Sequence, residues 1–386
     1  MRHAHLITPA LIHRTARQAL QQSWNWKSFH RSVPIRVLLD LLLLMASTGA
    51  SLFAITRRFF RFSHETAWRA VKTNLPARDA LTAGLLAALH DVMVLSRRDR
   101  QRWWTLAIDT HNVPYYGRST PNLIGGPRKQ GTKRFFGYAT AALLHPRRRY
   151  TVALTPVLTR QMPHEMVRIL LDQVAKTGLK IQGVTLDSAF DSGEVFLLLQ
   201  ERGLAYTIPL RRKGRGDNAR NRCFAGRDRL VRWVHWKTDK TRRLVQTRVV
   251  LWKGPRNKTW ALAFGGWRGE QASRVFRRAG EQRAIYRRRF GIETSYRQKN
   301  QAQAKTTSRN FEYRLLLEGI AYLLRQVWVA LTQQIADRQR LDAKTWVSDL
   351  TFQILLEWLA DELVLHHPEH RSILLGFKGM SSASEH

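Results

Sequence analysis

The chain has 386 residues, with 65 Lys and Arg against 28 Asp and Glu, a formal net charge of +37. Hydrophobic residues make up 44%, enough to bury more than one core, which excludes a disordered basic tail. The single cysteine, Cys223, excludes an internal disulfide framework and a Cys-rich zinc site, and so large a charge points to a polyanionic partner, nucleic acid first.

The N-terminal stretch MRHAHLITPALIHRTARQ lacks the long apolar core of a signal peptide. Residues 37–55 (VLLDLLLLMASTGASLFAI) are long and apolar enough to raise the question of a membrane span. Asp40 and the polar break Ser47-Thr48-Gly49 favour a buried core helix, because a carboxylate in lipid is costly. No membrane partner is expected. Residues 1–98 read as mostly helical, a DNA-binding domain. Two helices should meet at a turn near residues 61–63, with Ser63 capping the second and Glu65 favouring its first turn. That helix would expose His64, Thr66, Arg69 and Lys72, as a helix-turn-helix reader of a DNA major groove does. An ordinary basic helical hairpin fits the same pattern.

From residue 99 the pattern changes to short runs rich in β-branched and aromatic residues: WWTLAID, RFFGYATAALL, YTVALTPV, IQGVTLD and AYTIPL. Helices are expected over residues 164–177, behind Pro163, and over 192–202. Three strands followed by alternating helix and strand predict an α/β fold, a mixed sheet flanked by helices, over residues 99–210. Residues 211–267 open with the basic run RRKGRGDNARNR and continue as the strands LVRWVHW, LVQTRVVLW and KTWALAFGGW, a β-rich insertion. Helix returns near residue 273. Residues 268–330 would complete the core, and 331–386 form a C-terminal helical region. Within it, residues 346–365 have an apolar face that either pairs with a partner helix or packs on the chain's own core.

Asp109 and Asp187 are expected to end the first and fourth strands of the core. A lone strand-end Asp is usually a turn former or a cap. Asp191, just before the 192–202 helix, reads as such a cap. The other two differ, because carboxylates at the ends of adjacent strands can converge. An ionised Asp109 beside Leu106, Ala107 and Ile108 is costly unless paired or bound to a cation. Oxygen ligands of this kind suit magnesium, and two such ions activate water and stabilise a leaving 3′ oxygen in phosphodiester cleavage. A third acid lies in YRRRFGIETSYRQKN. At about 100° per residue, Tyr286, Arg289, Glu293 and Arg297 share one helix face. Such a face is either a surface ion-pair ladder or a phosphate grip, with the carboxylate on a metal and the guanidiniums on phosphate oxygens.

The strand order, the two strand-end aspartates, the β-rich insertion and the spacing Tyr, two residues, Arg, three residues, Glu together resemble the DDE transposases. More narrowly, they resemble the insertion-sequence family four group, whose catalytic core is RNase-H-like. The resemblance covers residues 105–318 and implies that Asp109, Asp187 and Glu293 are a catalytic triad holding two Mg2+ ions, with Mn2+ able to substitute. It also implies that Tyr286 and Arg289 hold phosphates of a cleaved element end. A cut-and-paste transposase of this kind works as a homodimer on double-stranded DNA, at element ends and target, in the nucleoid of a prokaryotic cytoplasm. One position departs: the family's Lys seven residues after the Glu is Asn300 here. Lys299 comes one residue early and would point off the face, yet Lys299 and Asn300 are counted with Tyr286, Arg289, Arg297, Lys133 and Arg134 among the residues expected on DNA phosphate. Either Arg297 supplies the missing charge or the phosphate grip is weaker.

In related transposases an aromatic ring of the insertion stacks on a flipped base. Trp233, Trp236, Trp252, Trp260 and Trp267 are the candidates, and each could equally pack the insertion's own core. A loop with Arg128, Lys129, Lys133 and Arg134, opened by Gly125, Gly126 and Gly131, and the basic loop 211–229 read as phosphate contacts. His111 either touches substrate or is an ordinary surface or core histidine. No glycine-rich nucleotide motif is present, so no nucleotide cofactor is expected. Two other readings remain: a DNA-binding relative without the chemistry, acting as a regulator, and a stand-alone two-metal nuclease.

Overall fold

The computed structural model describes the chain except residues 1–6, 30–32, 146–147, 215, 217, 219–220, 228–230, 239–240, 254–258, 267–278, 342–348 and 368–386. The N-terminal part is helical: α1 (Pro9–Gln22), α2 (Ile35–Thr48), α3 (Leu52–Phe59), α4 (His64–Asn74), α5 (Arg78–Asp91) and the short α6 (Arg97–Gln101). The apolar run at 37–55 is therefore two helices. Gly49 stops α2 with a φ of 62°, a left-handed conformation that glycine adopts cheaply, and Ser51 caps α3. The α3–α4 turn falls where expected, with the Ser63 hydroxyl accepting from the Thr66 N–H at 3.2 Å. Arg69 and Lys72 are exposed on α4, while His64 and Thr66 are half-buried.

The strands are β1 (Trp103–Pro114), β2 (Ile124–Lys129), β3 (Thr132–Leu143), β4 (Thr151–Val157), β5 (Lys180–Leu186), β6 (Ala205–Pro209), β7 (Val231–Lys237), β8 (Leu244–Lys253) and β9 (Thr259–Gly265). They form one mixed sheet in the order β2-β3-β1-β5-β6-β9-β8-β7, with β4 also on β3. β1 is antiparallel to β3 and parallel to β5, which is parallel to β6. Parallel neighbours need a crossover, and α8 (Gly193–Glu201) supplies the one from β5 to β6. Helix α7 (Pro163–Ala175) carries the chain from β4 to β5.

The β-rich stretch extends the same sheet: β9 pairs with the open edge of β6, and β8 and β7 follow outward. One feature corrects the sequence reading. The glycine-rich basic loop is a β2–β3 hairpin. Gly125, Gly126 and Pro127 hide β2 from any propensity argument. Gln130 and Gly131, both at positive φ, form the kind of tight turn that joins two antiparallel strands. Arg128, Lys129, Lys133 and Arg134 stand exposed on this hairpin.

The C-terminal helices are α9 (Ala279–Arg288), α10 (Phe290–Lys299), α11 (Phe311–Arg338) and α12 (Phe352–His366). The expected helix start near 273 lies outside the described residues. Helix α11 runs through the expected boundary at residue 330. It is long and apolar enough to cross a membrane, which the sequence reading overlooked, but nearly all of its apolar stretch is buried inside the protein. Helices α1, α2 and α5 pack on it, and α1 and α2 also pack on α12. The N- and C-terminal helices thus form one layer whose core continues into the sheet, not two separate units. Helix α12 begins at Phe352, later than expected. Leu355, Leu356, Leu359 and Leu363 are buried, so packing within the chain accounts for its apolar face.

Candidate active site

The parallel register of β1 and β5 ends at Ile108↔Leu186. Asp109 is the next residue of β1 and Asp187 the first residue beyond β5, so the register sets the two side by side. β1 does not stop at Asp109, as the sequence suggests. It continues to Pro114 because β3 goes on pairing with it, from Asp109↔Thr140 to Pro114↔Phe135. What ends is β5, so Asp187 turns out of the sheet and its carboxylate accepts the Ser188 N–H at 2.5 Å.

Glu293 arrives on α10. The single helix expected across this segment has a tightened joint at Arg289. The Arg289 N–H bonds the Tyr286 carbonyl at 3.0 Å, and the Ile292 N–H bonds the Arg289 carbonyl at 2.8 Å, both spanning three residues. Arg289 is 3% exposed. Its Nη1 donates to Asp109 Oδ2 and its Nη2 to Glu293 Oε1, each at 2.8 Å. Its guanidinium carbon lies 5.3 Å from the Tyr286 ring centre and 5.5 Å from that of Phe290. The fork expected on a phosphate is held here by two carboxylates.

Burial pushes the Asp109 carboxyl up to about 6. Arg289 and the Thr110 N–H oppose this, and the negative charges of Asp187 and Glu293 add to it. The three acids therefore share one electrostatic neighbourhood. Burial also drives His111 down to about 2, so it is neutral at physiological pH; its side chain hydrogen-bonds Asn300. The Tyr296 ring lies 5.1 Å from the His111 ring, and its hydroxyl is 2.8 Å from Thr140 Oγ1, directly across the ladder from Asp109. Tyr296 thus docks α10 onto the sheet beside the acids. Sequence reasoning passed over it, although its position three residues beyond Glu293 puts both on one side of the helix.

The other residues singled out from sequence are scattered. Lys299 is fully buried, with Nζ 2.6 Å from Glu318 Oε1 and 2.8 Å from Gln303 Oε1, so it does not face a ligand. Arg297 and Asn300 are exposed. Asp191 is not the cap of α8; Ser192 is, and the buried Asp191 carboxylate accepts the Arg211 N–H at 2.7 Å. Arg211 Nε also donates to Ser188 Oγ at 2.8 Å, tying the start of the basic loop to the turn after Asp187. Trp236 is buried against Phe196, and Trp252 is half-buried beside Val250 and Leu262. Trp233 and Trp260 are 65% and 53% exposed, with Arg248 over the Trp233 ring at 4.7 Å. Trp267 lies outside the described residues.

Asp109, Asp187 and Glu293 offer only carboxylate oxygens, a donor set that suits Mg2+ or Mn2+ better than a softer ion. The Arg289 fork shows that a positively charged group fits between Asp109 and Glu293.

No protein-family model and no curated protein sequence matches the chain. Among solved structures, the chain is similar to that in the cryo-EM structure of the piggyBac transposase synaptic complex with hairpin DNA. The TM-score is 0.57 at 12% identity, over 93% of this chain and 80% of that chain. At this identity the likeness is one of fold.

Proposed function

We propose that the chain is a DDE transposase: it binds double-stranded DNA at element ends, cleaves phosphodiesters there, and joins the freed 3′ hydroxyl to target DNA. The observation that carries this is that Asp109, Asp187 and Glu293 lie within electrostatic reach of one another, with Arg289 bridging Asp109 and Glu293, in a chain with a net charge of +37. The fold likeness to a transposase whose structure holds hairpin DNA supports it. The order β4-β3-β1-β5-β6 supports an RNase-H-like core. The spacing of Tyr286, Arg289 and Glu293 favours the insertion-sequence family four group, and Asn300 departs from it.

Asp109, Asp187 and Glu293 would hold two Mg2+ ions, with Mn2+ able to substitute; when bound, these supply an activated water and charge stabilisation for the leaving 3′ oxygen. The protein's own groups do the positioning. Arg289 keeps Asp109 and Glu293 aligned and, released from them, would turn its fork to a phosphate. Arg297, Lys133 and Arg134 would hold the backbone of the DNA, and Trp233 and Trp260 offer exposed rings to an unpaired base. The α4 residues His64, Thr66, Arg69 and Lys72 would read the element end. Two ends require a homodimer on DNA, acting in the nucleoid of a prokaryotic cell.

Incubating the protein with Mg2+ or Mn2+ and DNA from its own flanking sequence, beside Glu293→Gln, tests the reading. Cleavage at an element end with joined products, both lost in Glu293→Gln, is the expected result. Asn300 at the signature lysine position favours a second reading, a DNA-binding regulator. Tight binding without cleavage in every metal would select it.

A further inference from the structure

A second cluster of metal-ligating side chains lies where α1 meets α12, on elements that do not carry the triad. His13 of α1 is 3% exposed, and a ring nitrogen of His13, a ring nitrogen of His366 and a Glu362 carboxylate oxygen lie within 4.8 Å of one another. It is the grouping of this kind among the described residues. Glu362 and His366 are one turn apart on α12, so one face of that helix presents both. The His13 and His366 rings are 5.1 Å apart, edge to face.

The surroundings of His13 resemble those of a metal-bound imidazole. Its Nε2 lies 2.7 Å from Asp40 Oδ1, on the buried helix α2, and the His367 Nε2 lies 3.1 Å from the other Asp40 oxygen. A carboxylate oxygen accepts, so the bond to Asp40 takes His13 Nε2 as its donor and leaves Nδ1 as the nitrogen to ligate. On His366, Nδ1 lies 2.9 Å from the Glu362 carbonyl oxygen, an acceptor-only group, and 3.6 Å from Glu362 Oε1, so with Nδ1 donating to the carbonyl Nε2 is the nitrogen to ligate once the ring turns. A carboxylate behind a ligating histidine is the usual outer support of such sites.

We propose that His13, Glu362 and His366 bind one transition-metal ion of the zinc class, with Asp40 orienting His13 from behind and solvent in the fourth position. Imidazole nitrogens select zinc, cobalt or nickel over magnesium. Tetrahedral ligation at about 2.0–2.1 Å requires the three donor atoms to draw closer by about 1 Å. His366 is half-exposed at the last position of α12, where its ring can turn. Glu362 and Asp40 balance the ion's charge in a chain otherwise short of acid. The bound ion would staple α1 to α12 and hold the two ends of the chain together. This site is independent of the transposase reading.

Co2+ titration of the EDTA-treated full chain tests it. One equivalent should produce the visible absorption bands of tetrahedral cobalt, and Zn2+ should raise the melting temperature. Glu362→Gln and His366→Ala, both partly exposed, should melt like the wild type in EDTA yet bind Co2+ at least about 10–100-fold more weakly. A Glu293→Gln control should retain the bands, because its lost carboxylate belongs to the other site. Absence of cobalt bands in the wild type, or bands that survive in both α12 variants, overturns the proposal.

Discussion

Arg289 donates to Asp109 and, with its other terminal nitrogen, to Glu293, both at 2.8 Å, from a position 3% exposed to solvent. A guanidinium thus neutralises two acids that would otherwise repel each other in a partly dry site, and it holds α10 against β1.

Removing that guanidinium should cost stability. Arg289→Ala leaves Asp109 buried and unpaired, for a loss of about 3–5 kcal/mol. Mg2+ should recover part of this, so the rise in melting temperature on adding Mg2+ should be larger in the variant than in the wild type. Equal rises would show that Arg289 and the cation do not share the same carboxylates.

Lys299 and Arg297 should behave oppositely, although both were expected on phosphate. Lys299→Ala leaves Glu318 buried without its partner and should destabilise the fold by about 3–5 kcal/mol. Arg297→Ala should stay within about 0.5 kcal/mol of the wild type. Its effect should fall on DNA binding, flattening the plot of log affinity against log salt by about one unit. Urea denaturation and salt-dependent binding separate the two. A stable Lys299→Ala that binds DNA weakly would contradict this assignment.

Asn300→Lys restores a positive charge at an exposed position and breaks the bond to His111. DNA affinity at low salt should rise, and the salt plot should steepen by about one unit. An unchanged slope would place residue 300 away from the phosphate path.

Asp109 sets a pH signature. Burial raises its folded pKa to about 6 from the ordinary carboxyl value of 3.8. A raised carboxyl pKa means the folded state binds the proton more tightly than the unfolded chain. Its contribution therefore favours folding at low pH and declines as pH rises between these two values. In metal-free protein, the stability of the wild type relative to Asp109→Asn should fall across that window and level off above it. A flat difference would mean that the carboxyl ionises as it does in the unfolded chain.

That Asp109 and Asp187 follow apolar strand runs was legible locally, as was the helical placing of Glu293; that β1 runs on past Asp109 was not, because it depends on pairing with β3. What Arg289 touches was not legible. It depends on the joint between α9 and α10 and on how α10 docks through Tyr296 and Thr140, which lie 156 positions apart in the chain. Lys299 was misassigned for a similar reason: Glu318 is on another helix, and no local pattern announces the pair. Strand β2 was hidden by Gly125, Gly126 and Pro127. The union of α1, α2 and α5 with α11 rests on long-range packing that a single helix's periodicity does not encode.

Metal rescue of an altered ligand is the decisive measurement: cleavage of element-end DNA by Asp187→Cys in Mg2+ and in Mn2+. A thiolate ligates Mn2+ far better than Mg2+. The variant should be silent in Mg2+ and regain cleavage in Mn2+, with DNA binding unchanged in both. Cleavage in Mg2+ at the wild-type rate would contradict it, because Asp187 would then not be a ligand of the reacting metal.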